Sequence, residues 1–293
     1  MTSERQKTAL VTGASSGIGF ATAIEFSKRG YKVFAGARRL SAMEKLKDYG
    51  IIIFKLDVTS LESIKESRKL IEEETNGYLD VLYNNAGQSC TFPALDVQDE
   101  WFKMCYDVNV FGPMRMVREF IPLLIKAHGT IGFTGSVSGL LPFPFSSIYS
   151  SSKAAIHLYA ATLRLELKPL GVKVINIVTG GVKTDIEEKR SLPSTSIYNV
   201  EGIDVAMIER KQMAKRNNPM EPGAYAYKVV NDFEAASPSG KLNIYRGKMA
   251  TYLSWISILV PRFILEAMFI RKFKLSHVFK ILELKYKKKR KGE

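Results

Sequence analysis

The chain has 293 residues, 46% hydrophobic and 25% charged, a balance that excludes a disordered or fibrous polymer and suits one large globular unit with an appendage. Two cysteines, Cys90 and Cys105, stand outside any CxxC or Cys/His cluster; this excludes a disulfide scaffold and a structural zinc, and no metal is expected. The net charge of +14 is concentrated at one end. Residues 271–293 hold ten Lys/Arg against two Glu, so an anionic partner is to be sought at the tail, and no nucleic-acid partner is expected.

The opening residues, MTSERQKTALVTG, contain no apolar run before the first strand, and no secretory leader is expected. Runs rich in Val, Ile and Phe predict strands at Thr8–Val11, Tyr31–Ala35, Ile51–Leu56, Leu79–Tyr83, Thr130–Thr134 and Val172–Val178. Between them, helical patterns cover Ile18–Lys28, Leu61–Glu74, Glu100–Ala127 and Tyr149–Lys168. This alternation predicts a doubly wound parallel α/β sheet over residues 1–248. Residues 183–222 break the rhythm with a polar, basic stretch, read as a lid over the site. Residues 249–293 form a separate apolar and then basic segment.

Thr12–Gly19 reads TGASSGIG, and its GASSG fits two unrelated devices. A hydrolase elbow would use Ser15 as nucleophile, but it needs a histidine and an acid later in the chain. His128, His157 and His277 are the only histidines, and none has a context that marks it as a base. A dinucleotide cradle instead needs glycines between a strand and a helix, where backbone approaches a pyrophosphate and the helix N-terminus presents its N–H groups. Gly13, Gly17 and Gly19 stand in that context, with Ser15 and Ile18 in the same turn. After the second expected strand, GARR puts Ala37 where a ribose-binding carboxylate would stand, followed by Arg38 and Arg39. Two guanidiniums suit a 2′-phosphate, which points to NADP(H) over NAD(H).

In SSIYSSSKAA, Tyr149 and Lys153 are four apart at the start of a helix and share one face. An adjacent ammonium is expected to stabilise the phenolate and bring the tyrosine toward a useful acid/base range. Ser136, just past a strand, can hold the oxygen of a carbonyl or alcohol.

With TGASSGIG, NNAG (Asn84–Gly87), DVNVFG, GSVSG and YSSSK together, the chain resembles the short-chain dehydrogenase/reductase family over residues 8 to about 250. The resemblance implies a Rossmann-like fold and a catalytic set of Ser136, Tyr149, Lys153 and Asn109. In it Tyr149 is the proton donor in reduction, Lys153 its electrostatic partner and a ribose ligand, and Asn109 the support of a water-mediated relay. It further implies that Asp57 and Val58 flank adenine, that Asn85, Ala86 and Gly87 line the cofactor cleft, and that Val182 and Thr184 meet the nicotinamide end. One departure is visible: Gly180-Gly181 stands where the family usually has Pro-Gly.

The strings LYNNAGQSCTFPALD (Leu82–Asp96) and TGGVKTDIEEKRSLPSTSIYN (Thr179–Asn199) resemble the branch of that family that reduces 1-acyldihydroxyacetone phosphate with NADPH. This implies a lipid-like phosphorylated ketone as substrate and 1-acylglycerol 3-phosphate as product, on the way to phosphatidic acid. The alternatives are other lipophilic ketones of steroid or retinoid type, or a lipid-surface serine esterase using GASSG. Lys183, Lys189, Arg190, Lys211, Lys215 and Arg216 are candidate phosphate ligands in the lid, and LLPFPF (Leu140–Phe145) a candidate wall for an acyl chain. Met249–Val260 is uncharged but spans only about 18 Å as a helix, against about 30 Å of hydrocarbon. With Pro261 and Arg262 interrupting it and a basic tail following, the segment is expected to lie on a membrane or lipid-droplet surface, the alternative being an amphipathic helix folded over the substrate pocket with a soluble tail. The expected locations are the cytosolic face of the endoplasmic reticulum and lipid droplets, with the mitochondrial outer membrane as an alternative. Homo-oligomerisation is left open.

Overall fold

Apolar residues alternate between two faces along each inner strand, and the sheet they build is buried on both sides. The computed structural model describes residues 5–184, 190–216 and 218–290, without the side chains of 214, 215 and 288–290. Among these residues the strands are β1 (Thr8–Thr12), β2 (Lys32–Ala37), β3 (Ile52–Lys55), β4 (Val81–Asn84), β5 (Thr130–Ser136), β6 (Lys173–Thr179) and β7 (Asn243–Arg246). They pair in parallel in the order β3-β2-β1-β4-β5-β6-β7. The order reverses between β1 and β4, and the crevice beyond the carboxyl ends of those strands is where such sheets bind ligands.

The helices of the first part are α1 (Gly17–Lys28), α2 (Leu61–Thr75), α3 (Asp99–Tyr106), α4 (Gly112–Ala127) and α5 (Ser147–Leu167). Those of the second are α6 (Ile203–Lys211), α7 (Met213–Arg216), α8 (Pro222–Glu234), α9 (Ala250–Leu259), α10 (Arg262–Lys272) and α11 (Leu275–Arg290). Leu10, Phe34, Leu82 and Ile131 face one core, closed by Ile64 and Ile71 of α2, Phe120 and Leu124 of α4, and Ile156 and Leu163 of α5. Their neighbours Ala9, Val11, Val33 and Val81 face the other, closed by Phe26 of α1 and Val229 and Phe233 of α8. The period of two along each strand thus produces the three layers directly.

Three expectations are corrected. The helix over Glu100–Ala127 is two, α3 and α4, separated by an i→i+5 turn at Asp107–Phe111. Pro113 has no N–H to give the carbonyl of Asn109 four residues back, so the regular ladder cannot run through. The edge strand β7 has no apolar run and escaped the sequence pattern; Arg246 anchors it by two bonds to Asp232, at 2.6 and 2.7 Å. The segment from 249 is not detached from the body: Ala250, Leu265, Phe269 and Phe273 share a core with Val137, Leu141, Phe143 and Val178. Pro261 breaks the apolar run into α9 and α10, and no helix among the described residues is long and apolar enough to cross a membrane.

Candidate active site

At the carboxyl end of β1, the backbone leaves no room for side chains. A Cβ on Gly13 would lie 2.7 Å from Cα of Ala86, and one on Gly19 would lie 2.5 Å from the Gly13 carbonyl and from Asn85 Nδ2. Gly17 opens α1 at φ +55°, a left-handed conformation that glycine adopts at least cost. The helix start carries neither a side-chain cap from Ser16 nor an acidic residue in its first turn, so its N–H groups remain available to an anion. Ser15 and Ile18 are partly buried in this turn, and Thr184 arrives from beyond β6 to lie against Gly17.

The other expected cofactor positions collect along the same edge. Arg38 and Arg39 are exposed just past β2, after a buried Ala37. Asp57 follows β3, its Oδ1 accepting from the N–H and hydroxyl of Thr59, with Val58 buried beside it. After β4, Asn85 donates to the Thr12 carbonyl at 3.0 Å, and Ala86 N–H donates to Thr12 Oγ1 at the same distance. Gly87 sits against Asn109 and Lys153; a Cβ there would be 3.5 Å from Asn109 Oδ1 and 3.8 Å from Lys153 Nζ. Val182 is buried and bridges to Met220. The glycine cradle, the open helix terminus and the cationic rim fit a dinucleotide with an additional phosphate. Asn85 to Gly87, Lys153 and Thr184 would hold its inner half.

The chemical groups meet at the mouth of this cleft. Ser136 ends β5, and its Oγ accepts from Ser138 N–H at 3.1 Å. Lys153 is buried; its Nζ donates to the Thr134 carbonyl at 2.8 Å and lies 5.7 Å from the Tyr149 ring centre. Burial pushes Tyr149 up to about 12, against opposing pulls from the Ser136 side chain and the Arg210 charge. Burial also lowers Lys153 to about 8. The expected depression of the tyrosine by its lysine is therefore corrected. Desolvation of the phenolate outweighs the charges around it, and in this state Tyr149 is a neutral acid ready to donate.

Asn109 is placed by the i→i+5 turn, but its amide does not face a substrate. Oδ1 accepts from Gln88 N–H at 2.8 Å; Nδ2 donates to the Gln88 carbonyl and to Ser152 Oγ, both at 3.0 Å. Ser152 in turn donates to the Tyr149 carbonyl, so Asn109 ties the loop after β4 to the helix bearing Tyr149.

Two further residues carry no motif. His157, one turn beyond Lys153, accepts from Ser136 N–H at 3.1 Å, and burial holds it neutral, at about 4. Gly135 and Gly139 make room for that ring. Arg210 of α6 is buried and reaches the turn before α5, donating to the Pro144 carbonyl at 3.0 Å and to Ser146 Oγ. The four-residue spacing of His157 from Lys153 was a visible signal, whereas Arg210 lies more than sixty positions from its partners.

Among the described residues, the cations of 183–222 expected to meet a phosphate have other partners. Lys183 pairs with Glu221 on the surface, Arg216 pairs with Glu209, and Lys211 donates to the Arg190 carbonyl. Arg190 lies over the Trp101 ring at 3.9 Å. Lys189 and the Lys215 side chain lie outside the described residues. Leu141 and Phe143 of the expected acyl wall pack against Phe269 and Phe273. The hydrolase alternative finds no base: Ser15 bonds no histidine among the described residues, and His157 is committed to Ser136.

The model of the short chain dehydrogenase family matches residues 7–194. The chain is 49% identical to the NADPH-dependent 1-acyldihydroxyacetone phosphate reductase of Saccharomyces cerevisiae over 98% of both chains. It is 40% identical to the protein of the same name from Schizosaccharomyces pombe over 74% of each. A short-chain dehydrogenase from Streptomyces avermitilis superposes with a TM-score of 0.75 at 26% identity, covering 94% of this chain and 98% of the other. Together with the Ser136, Tyr149 and Lys153 cluster beside a glycine cradle, these likenesses establish that the chain belongs to the short-chain dehydrogenase family.

Proposed function

We propose that the chain reduces 1-acyldihydroxyacetone phosphate to 1-acylglycerol 3-phosphate with NADPH. The observation that carries this reading is end-to-end identity of 49% with a reductase of that name. The rim of Arg38 and Arg39 after a non-acidic Ala37 supports the choice of the phosphorylated cofactor. The hydride that reaches the carbonyl carbon is supplied by NADPH when it is bound. Ser136 holds the ketone oxygen against the Tyr149 hydroxyl. As the carbon gains hydride, the oxygen takes the Tyr149 proton and becomes the secondary alcohol. Tyr149 then recovers a proton from solvent, while the Lys153 ammonium limits the cost of the transient phenolate.

The test is competition: purified full chain with NADPH, 1-acyldihydroxyacetone phosphate, a steroid ketone and a retinoid carbonyl in one mixture. The acylated phosphate is expected to be consumed first, and Tyr149→Phe to slow its turnover by about 10²–10⁴-fold while NADPH still binds. Preferential consumption of the steroid or retinoid would overturn the substrate assignment.

We further place the enzyme on a lipid surface, at the cytosolic face of the endoplasmic reticulum and of lipid droplets. Supporting this, α9 and α10 turn Tyr252, Trp255, Ile258, Leu259, Phe263 and Met268 outward, all more than 45% exposed, with the basic α11 following. Exposed apolar side chains followed in the chain by cations suit an anionic headgroup layer. Vesicles containing phosphatidylserine are expected to float the wild-type chain and not a Trp255→Ser, Leu259→Ser, Phe263→Ser variant. Equal flotation of the two would rule this surface out.

A further inference from the structure

A buried guanidinium with no carboxylate is the unexplained feature nearest the chemistry. Arg210 is 7% exposed, and neither a salt bridge nor any other acidic contact is found for it among the described residues. Two of its nitrogens are engaged, Nε with the Pro144 carbonyl and Nη2 with Ser146 Oγ, and both partners are neutral. Nη1 makes no hydrogen bond among the described residues. The rings of Phe143 and Phe273 lie 5.4 and 5.9 Å from the guanidinium carbon, so the charge is held in an apolar wall. Removing an ion from water without an opposite charge is expensive, and proteins retain such an arrangement where a ligand supplies the charge.

Its location restricts that ligand. Ser146 is the residue that precedes α5, and its hydroxyl is turned to Arg210 instead of capping the helix. Tyr149 lies three residues further on, in the first turn. The Arg210 clasp on Ser146 therefore holds the guanidinium at the same helix start that carries Tyr149. In an acyl-dihydroxyacetone phosphate, phosphorus is three bonds from the carbonyl carbon, within about 4 Å. A group that binds that phosphate must therefore stand next to the reacting carbonyl. Surface cations such as Lys183 and Arg216 already face carboxylates, whereas Arg210 is an uncompensated one bound to the residue that precedes the helix of Tyr149.

We infer that Arg210 receives the substrate phosphate and sets specificity for a phosphorylated over a neutral ketone. This deepens the reading of the preceding subsection and rests on it. The planar fork presents a free edge at Nη1, and docking of a phosphate there brings in the missing negative charge and fixes the ketone against Ser136 and Tyr149. Because Arg210 also clasps α6 to the turn before α5, phosphate binding and lid position are coupled through one side chain.

The experiment compares full-length wild type with Arg210→Gln and Arg210→Lys on two ketones, 1-acyldihydroxyacetone phosphate and the same acyl ketone without phosphate. The preference, the ratio of the two kcat/KM values, is expected to collapse by at least about thirtyfold in Arg210→Gln, mainly through KM of the phosphorylated ketone. Arg210→Lys should recover part of it, because the charge survives and the fork does not. An undiminished preference in Arg210→Gln overturns the assignment, as does an equal loss on both ketones, which would make Arg210 a lid clasp only. A second arm needs no turnover: glycerol 3-phosphate should raise the thermal midpoint of wild type and of Arg210→Lys but not of Arg210→Gln. If wild type does not discriminate between the ketones, the substrate reading fails. The glycerol 3-phosphate arm then still decides whether Arg210 binds a phosphate monoester.

Discussion

The two sides of the cleft are made by different means. On the cofactor side, around β1, β2 and β4, the site is backbone: glycines that leave space, an uncapped helix start and loops held by Thr12 and Asn85. On the side proposed for the substrate it is side chains brought from three remote segments, Phe143 before α5, Arg210 on α6 and Phe273 after α10. A backbone site tolerates almost no addition of atoms, because what must give way is main chain. A side-chain site changes its ligand by exchanging single residues while the scaffold stays. One family can thus keep one cofactor and diversify its substrates.

The contrast is broken most severely at Gly19. Gly19→Ala places a methyl 2.5 Å from the Gly13 carbonyl, so the turn must open. The overpacking cost, on the order of 1–3 kcal/mol, falls on the cofactor cradle, and NADPH affinity is expected to drop by about ten- to a hundredfold. Gly223 at the start of α8 is the control: it is exposed, and nothing lies within 4 Å of a Cβ built there. Gly223→Ala should leave NADPH affinity as it is and hold or slightly raise the thermal midpoint. Equal NADPH affinity in the two variants, read by fluorescence titration, would show that the cradle is not limited by backbone approach.

This difference also decided what was legible in the sequence. The strand–helix alternation was readable because burial on both faces forces near-continuous apolar runs, and the cradle because only glycine satisfies its geometry. Tyr149 and Lys153 were readable because one helical turn separates them. The i→i+5 turn at Asn109 was hidden inside a continuous helical pattern, although Pro113 carries its physical cause. β7 was hidden because an edge strand has no need of an apolar run. Arg210 resembled its solvated neighbours in a basic stretch, and only the fold distinguishes the buried cation from Lys211 beside it. The spacing of Tyr149 and Lys153 shows that they share a helix face but carries no information about desolvation, which raises the tyrosine where its lysine was expected to lower it.

The smallest expected effect concerns a residue that stands on the border of the two sides. His157 holds the backbone of Ser136 by accepting its N–H, a role that requires a neutral ring. Its folded-state value of about 4 lies below its ordinary 6.5, so between those values the unfolded chain binds a proton that the folded chain refuses. Stability from this group is therefore complete above about pH 6.5 and is lost as pH falls toward 4. The loss amounts to at most about 2 kcal/mol by pH 5, or a few degrees in thermal midpoint. His157→Gln keeps an acceptor for Ser136 N–H but cannot titrate. It should be somewhat less stable at pH 7 and show a smaller drop in midpoint between pH 7 and pH 5 than wild type. Because carboxylates elsewhere titrate equally in both proteins, the difference between the two drops isolates the ring. Identical drops would mean that His157 accepts its proton while folded. Ser136 would then be held by its strand pairing and the Ser138 contact, and the substrate side would be closer to a backbone site at that point than its geometry indicates.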